Sequence, residues 1–153
     1  MYKKILLATD GSKCSKIAAE HAIKIAEQNN ADLIVLAVTE TYSLEKLPVE
    51  DLTRKVIQLF KEESEKALQD VNDMIEEKGS PIKFTLKNVE GKAADAILQV
   101  AEDEDVDLIV VGFSGKHALE RIVLGSVSEK IVRNARVPVL VVRSKKIKKS
   151  HET

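Results

Sequence analysis

The chain has 153 residues, of which 44% are hydrophobic, and this is enough for one domain with a sizeable core. Its 24 basic and 25 acidic residues nearly balance, so net charge gives no reason to expect nucleic acid or a membrane as a partner. Aromatic residues make up only 3%, too few for the stacking platforms that hold single-stranded nucleic acid. The single cysteine, Cys14, has no disulfide partner in the chain, and the first apolar stretch, Ile5 to Ala8, is too short for a signal peptide or a membrane span. We therefore expect a cytoplasmic protein.

Apolar runs alternate with helical periodicity in the first part of the chain. The run Lys4 to Thr9 ends at Asp10 to Ser12, a cluster typical of a turn and a helix N-cap. Apolar residues then recur every three or four positions, which predicts an amphipathic helix from Ser12 to about Asn29. The run Leu33 to Val38 predicts a second strand that is buried on both faces.

The middle of the chain continues this alternation. Thr39 to Glu50 has no clear period and predicts a surface connection, after which a helix runs to Gly79. Ile82 to Val89 alternates apolar and polar residues, which predicts a strand toward a sheet edge. A third helix then presents an apolar face between Ala94 and Ala101.

The last third contains the remaining strands. Leu108 to Val111 predicts the fourth strand, a helix follows Gly125, and Val137 to Val142 predicts the fifth strand. We expect one domain over residues 1–144 and a basic tail over residues 145–153.

Five strands alternating with helices predict a three-layer, doubly wound parallel sheet of the α/β class. Such a sheet binds ligands outside the carboxyl ends of its strands, where the winding direction reverses. If the first and fourth strands are neighbours, as in the order 3-2-1-4-5, Asp10 faces the segment that follows the fourth strand. One site would then be composed of two distant parts of the chain.

The segment Val110 to Ser128, VVGFSGKHALERIVLGSVS, contains three glycines around a predicted strand end. Glycine permits positive φ and close approach of a ligand, so this segment suggests a cradle of backbone amides. The helical spacing after Gly125 places Ser126 and Val127 at a helix N-terminus, where free N–H groups suit a phosphate. Two ordinary turns around a short helix from Lys116 to Leu124 fit the same spacing equally well.

The residue types divide the chemistry of such a site. Backbone amides and the hydroxyls of Ser126 and Ser128 can donate hydrogen bonds to a polyphosphate. Asp10 suits ribose hydroxyls or a base amino group, and the N-cap of the first helix is an equally compatible role for it. Main-chain groups of Val38 can hold the edge of adenine against an apolar wall. That wall would consist of Ala8 and Val111.

Three stretches, KKILLATDGS, AEDEDVDLIVVG and GSVSEKIVRNARVPVLVV, are similar to the universal stress protein family. The spacing of the glycines resembles the G-2x-G-9x-G-(S/T) nucleotide motif of the ATP-binding branch of that family. The resemblance implies an adenine nucleotide α-hydrolase-like, Rossmann-like sheet in the order 3-2-1-4-5. It also implies nucleotide contacts at Ala8, Asp10, Val38, Val111, Gly112, Gly115, Gly125, Ser126, Val127 and Ser128.

The resemblance further implies a homodimer in which the fifth strands, Val137 to Val142, pair in antiparallel fashion. Relatives often carry a basic residue or histidine between the first two glycines, whereas this chain has Phe113 and Ser114. The three histidines are too scattered for a metal site, so we expect Mg or Mn to be carried by the ATP phosphates.

The leading hypothesis is an ATP-binding regulatory protein of the stress response that is not an enzyme and acts on a protein partner. A slow ATPase or phosphate transferase is the alternative, although Glu120 and His117 are only close to the site in sequence and neither is a well-placed general base. A nucleotide-free interaction module is the third possibility. Cys14 lies at a helix N-terminus that favours redox sensing, but without a second cysteine we expect a core residue.

Overall fold

The computed structural model describes residues 1–41, 50–115 and 123–144. The elements in these ranges are β1 Lys4–Ala8, α1 Lys13–Asn29, β2 Asp32–Thr39, α2 Glu50–Glu77, β3 Phe84–Glu90, α3 Ala93–Asp103, β4 Leu108–Gly112, α4 Ser126–Asn134 and β5 Val139–Val142. Most of the predicted surface connection and all of the basic tail lie outside the described residues. The short helix predicted from Lys116 also lies outside them, except for Val123 and Leu124, which are not helical.

The five strands form one parallel sheet in the order β3-β2-β1-β4-β5, which confirms the predicted doubly wound topology. β1 is central, and its Leu6 pairs in register with Ile34 of β2 on one side and Ile109 of β4 on the other. The chain winds from β1 toward β3 on one side and from β4 to β5 on the other. A crevice therefore opens at the carboxyl ends of β1 and β4.

The side chains of β1 alternate between two apolar cores. Ile5 and Leu7 pack with α1 and α2, whereas Leu6 packs with α3 and α4. All three are completely buried, so the strand is apolar on both faces, as its continuous run predicts. β3 lies at one edge of the sheet, and its Leu86 is exposed, which confirms the expected edge strand.

The longest helix, α2, is packed unevenly. Its buried residues all belong to its second half and are Ser64, Ala67, Leu68, Val71 and Ile75. The preceding turns carry exposed apolar side chains such as Leu52 and Leu59. The second half therefore fixes α2 to the sheet.

The N-cap of α1 is Ser12, whose Oγ accepts a hydrogen bond from the Ser15 amide at 3.2 Å. Asp10 lies two residues earlier, and its Oδ1 accepts a hydrogen bond from the Ser12 amide at 2.9 Å. Gly11 between them has a φ of +80°, which glycine adopts readily. The N-cap role considered for Asp10 is therefore wrong, because this carboxylate closes the turn that precedes the cap.

The fifth strand is shorter than predicted, because it begins at Val139 and not at Val137. Pro138 cannot donate to a neighbouring strand, although its carbonyl accepts a hydrogen bond from the Ile109 amide at 3.0 Å. Because of this proline, regular strand pairing begins two residues later than predicted.

The carboxyl end of β4 touches the first turn of α1. A Cβ on Gly112 would lie 2.9 Å from the carbonyl carbon and the Cβ of Cys14 and 3.0 Å from the Ser15 nitrogen. Gly112 does not have a positive φ, unlike Gly11. Glycine is therefore required here by close packing of two backbones and not by an unusual conformation.

The amino ends of β1 and β4 are joined by Asp107. Its Oδ2 accepts hydrogen bonds from the amides of Lys3 at 2.8 Å and Lys4 at 2.9 Å. These bonds lower the pKa of the Asp107 carboxyl below its usual value. Glu104, which follows α3, pairs with Lys4 of β1 and Lys87 of β3.

We expect Gly112→Ala to lower the free energy of unfolding by about 1–3 kcal/mol, because its methyl group would overpack a position closed by backbone atoms. Urea unfolding measures this change. Gly115→Ala is the matched control, since its Cβ would meet only the movable Asp10 carboxylate, 2.9 Å away, and we expect a loss below about 0.5 kcal/mol. Equal losses in the two variants would contradict the packing argument.

We expect Asp107→Ala to destabilise the protein by about 1 kcal/mol at neutral pH, because two amides lose a charged acceptor. The pKa of Asp107 is lower in the folded state, so its stabilisation is complete above an unfolded-state pKa of about 3.9 and is lost as pH falls through the folded pKa. Urea unfolding of both proteins at pH 7 and pH 3 should give a smaller difference at pH 3. A larger difference in unfolding free energy at pH 3 than at pH 7 would contradict a lowered pKa of Asp107 in the folded state.

Candidate functional site

A cavity of about 490 Å³ lies at the carboxyl ends of β1, β2 and β4 in the described part of the chain. Its walls come from the β1–α1 loop, the end of β2, α2, the start of α3 and the described parts of the segment Val110 to Ser128, here called the glycine segment. All of the residues predicted as nucleotide contacts lie in its lining, namely Ala8, Asp10, Val38, Val111, Gly112, Gly115, Gly125, Ser126, Val127 and Ser128. The fold thus brings both predicted halves of the site together.

One wall of the cavity is the N-terminus of α4. Gly125 is its N-cap and supplies no side-chain cap, so the amides of the first turn have no partner from the capping residue. The Gly125 amide itself donates to the Phe113 carbonyl at 2.9 Å, which fixes the helix to the glycine segment. The helix dipole adds partial positive charge at this wall, as an anion site requires.

The two serines of α4 have different surroundings. Ser126 is exposed, whereas Ser128 is buried and its hydroxyl donates to the Gly112 carbonyl at 2.6 Å. The proton of Ser128 is therefore already used, contrary to the expectation that it is available for a phosphate. Its side chain braces α4 against the end of β4, and Ser126 keeps its hydroxyl at the cavity.

The later glycines of the motif allow chain segments to approach closely. A Cβ on Gly115 would lie 2.9 Å from Oδ2 of Asp10, and a Cβ on Gly125 would lie 3.3 Å from the Cα of Ser114. Neither glycine has a positive φ. These two glycines thus allow close approach of protein segments without a positive φ, and the close approach of a ligand stays a prediction.

Buried hydroxyls organise the loop after β1. The Thr9 hydroxyl donates to Oγ of Ser15 at 3.2 Å, and the Ser15 hydroxyl donates to the Ser12 carbonyl at 2.9 Å. All three residues are buried and line the cavity. This chain of hydrogen bonds fixes the backbone that presents Asp10.

A second hydroxyl cluster lies at the end of β2. The Thr39 Oγ1 is 2.9 Å from Oγ of Ser64 and 3.0 Å from Oδ1 of Asn88. Ser64 also makes a long hydrogen bond, 3.5 Å, to the carbonyl of Val38. The backbone group predicted to face adenine is thus positioned from α2, an element in which we predicted no site residue.

The cavity has further lining residues that we did not predict as contacts: Thr9, Ser12, Ser15, Leu36, Thr39, Glu40, Phe60, Glu63, Ser64, Ala93, Ile97 and Ser114. One signal in the sequence could have revealed Ser64, because this hydroxyl occupies a core position of the apolar stripe that continues through Ala67 and Leu68. The helix residue Glu63 has no comparable signal.

The described lining carries the carboxylates of Asp10, Glu40 and Glu63 and no lysine, arginine or histidine. Oε1 of Glu40 accepts a hydrogen bond from the Ala93 amide at 2.9 Å and so caps α3 from another element. Positive potential in this lining thus comes only from backbone amides and helix ends.

Cys14 is partly exposed, contrary to its prediction as a core residue. Its Sγ lies 3.6 Å from Oγ of Ser114 in the glycine segment. Burial raises the pKa of the Cys14 thiol, but hydrogen bonds with Ser114 and Ser144 outweigh it and leave the pKa below its ordinary value.

Two further findings apply to residues 1–41, 50–115 and 123–144. No group of three or more histidine, cysteine or acidic side chains is arranged to hold a metal ion, and no helix is both long and apolar enough to cross a membrane. Lys116, His117 and Glu120 lie outside these ranges.

Comparison with known proteins gives consistent matches along the chain. The model of the universal stress protein family matches residues 1–143. Universal stress protein MJ0531 of Methanocaldococcus jannaschii is 43% identical over 146 residues, which cover 95% of this chain and 85% of that protein. The structure of MJ0577 from the same organism has a TM-score of 0.84 and 32% identity, with 96% of this chain and 99% of that chain covered.

A universal stress protein in complex with cAMP has a TM-score of 0.66 and 26% identity, with 93% of this chain and 97% of that chain covered. The family match spans both halves of the cavity, from the β1–α1 loop to β5. This chain therefore belongs to the universal stress protein family.

Proposed function

We propose that this chain binds ATP in the cavity between β1 and β4 and acts as a nucleotide-dependent regulatory protein of the stress response, not as an enzyme. The observation that carries the proposal is the pairing of two opposite walls. The first turn of α4 and the glycine segment form one wall, and Asp10 lies against them from the β1–α1 loop. The complex of a relative with cAMP supports an adenine nucleotide as the ligand class.

The arrangement supports a direction for the bound nucleotide. Phosphates would lie at the α4 end, against the amides of Gly115, Ser126, Val127 and Ser128 and the hydroxyl of Ser126, since the Gly125 amide already donates to the Phe113 carbonyl. The ribose would then lie beside Asp10, a good acceptor for its hydroxyls. Adenine would pack on Ala8 and Val111, with its edge toward the main chain of Val38.

We propose that Mg or Mn enters this site with the nucleotide. The described lining has three carboxylates and no basic side chain, so bare phosphates would add charge to an already negative cavity. A divalent ion held by the phosphates reduces this repulsion and needs no cluster of protein ligands.

We further propose a homodimer formed by antiparallel pairing of β5. This strand is at the edge of the sheet, and Val139 to Val141 are only half-buried in one chain. An apolar edge with backbone groups on its outer side favours a partner strand. We also propose that residues 1–144 form one domain and that the protein is cytoplasmic. A protein partner would respond to the bound nucleotide.

Thermal unfolding of nucleotide-free protein tests ligand binding. We expect ATP with magnesium to raise the free energy of unfolding by about 2.7 kcal/mol when its concentration is a hundred times Kd, because it binds only the folded state. AMP and cAMP, tested alongside, report how much the terminal phosphates contribute. No shift with any nucleotide up to millimolar concentration would support the nucleotide-free interaction module instead.

We expect Gly115→Val to abolish ATP binding while the protein stays folded, because the branched side chain would displace the Asp10 carboxylate and enter the cradle. Isothermal titration calorimetry measures binding, and urea unfolding measures the fold. Glu76→Val places the same side chain on an exposed position in the last turns of α2 and should leave affinity unchanged. Unaltered affinity in Gly115→Val would exclude the proposed cradle.

A further inference from the structure

The described lining of the cavity contains acidic side chains and no basic side chain. Asp10, Glu40 and Glu63 are its only ionisable side chains, and all three are acidic. A triphosphate adds several negative charges, of which a divalent ion neutralises only two. If the proposed function is correct, a basic side chain just outside this lining would strengthen the binding of phosphates.

Arg143 is a basic residue immediately beside the glycine segment. Its guanidinium carbon lies 4.4 Å from the centre of the Phe113 ring, a cation–π contact. Phe113 lies between Gly112 and Ser114, both of which line the cavity. Arg143 is exposed and forms no ion pair with a carboxylate among the described residues.

The backbone of Phe113 fixes this arrangement from two sides. Its amide donates to the Val142 carbonyl at 2.8 Å, and its carbonyl accepts from the Gly125 amide at 2.9 Å. One residue therefore connects the end of β5, which carries Arg143, with the N-terminus of α4, where the phosphates would lie. Two backbone hydrogen bonds of Phe113 thus hold the residue before Arg143 and the N-cap of α4 at fixed positions relative to each other.

The stacking geometry leaves the guanidinium able to bind an anion. A cation–π contact uses the planar face of the group, whereas its N–H donors project from its edge. Those donors match the geometry of phosphate oxygens. Stacking on Phe113 also restricts the side chain, which reduces the entropy lost when a phosphate binds.

We propose that Arg143, held by the Phe113 ring, sets the preference of the cavity for nucleotides with more phosphate groups. This inference rests on the proposed ATP site and adds a residue to it. Arg143 contributes affinity through the outer phosphates and makes no contact with adenine or ribose.

Calorimetric titration of the unmodified chain and Arg143→Ala with ATP, AMP and adenosine tests this proposal. We expect the affinity of the variant for ATP to fall about threefold to fivefold, a change typical of an exposed ion pair. The loss for AMP should be smaller, and adenosine should bind both proteins equally. Raising the salt concentration to about 0.5 M should shrink the difference for ATP, because exposed charges are screened.

Two further variants separate charge from loop geometry. Arg136→Ala removes another exposed arginine, which lies 3.8 Å from Glu102 just before β5, and this variant should bind ATP normally. Phe113→Leu keeps an apolar side chain but removes the ring, so it should lose ATP affinity about as much as Arg143→Ala. Combining it with Arg143→Ala should cause no further loss, since the two residues act as one unit.

The outcomes distinguish this inference from the function on which it rests. If the unmodified chain binds ATP and Arg143→Ala binds it equally well, the role of Arg143 is excluded and the ATP site remains. Equal losses for ATP and adenosine would mean that the variant distorts the loop, which also excludes the role. If the unmodified chain binds no ATP, the proposed function fails, and the role of Arg143 fails with it.

Discussion

The geometry of the cavity depends on the close approach of the end of β4 to the first turn of α1, where a Cβ at Gly112 would lie 2.9 Å from the Cys14 backbone. This contact places the glycine segment opposite the β1–α1 loop, and the Ser128 hydroxyl then ties α4 to the same strand end. The two walls are parts of one packed unit. The proposed binding of an anion therefore depends on backbone packing as much as on the groups that would touch a ligand.

The charges around the site follow a consistent division. Carboxylates occupy the β1, β2 and α2 sides of the cavity, whereas backbone amides and a helix N-terminus occupy the glycine side. Such polarity orients a molecule that has a neutral, hydrogen-bonding end and an anionic end. A cation that entered with the proposed phosphates would find nearby carboxylates and would need no protein cage of its own.

The alternation of strands and helices could be predicted because its signals are local: continuous apolar runs mark buried strands, and strand ends carry polar residues. The strand order is not a local property, and its prediction depended on the resemblance to the family. The hydroxyl cluster of Thr39, Ser64 and Asn88 could not be predicted, because it forms only when three separate elements pack together. The same limit applies to Ser128, whose hydroxyl was predicted for a ligand and instead bonds Gly112. The sequence identifies a hydrogen-bond donor, but the acceptor that pairs with it is determined by tertiary packing.

The uneven packing of α2 has a consequence for motion. Its second half is anchored in the core, while the turns before Ser64 bury no side chain among the described residues. Local opening of those turns exposes little apolar surface, so their amides should exchange with solvent faster than those near Val71. The cavity is lined at the boundary between the exposed and the packed turns of α2 by Phe60, Glu63 and Ser64. A ligand that fills the cavity would slow the opening of the turns next to Ser64. The backbone dynamics of an exposed part of α2 would then differ between the free and the bound protein.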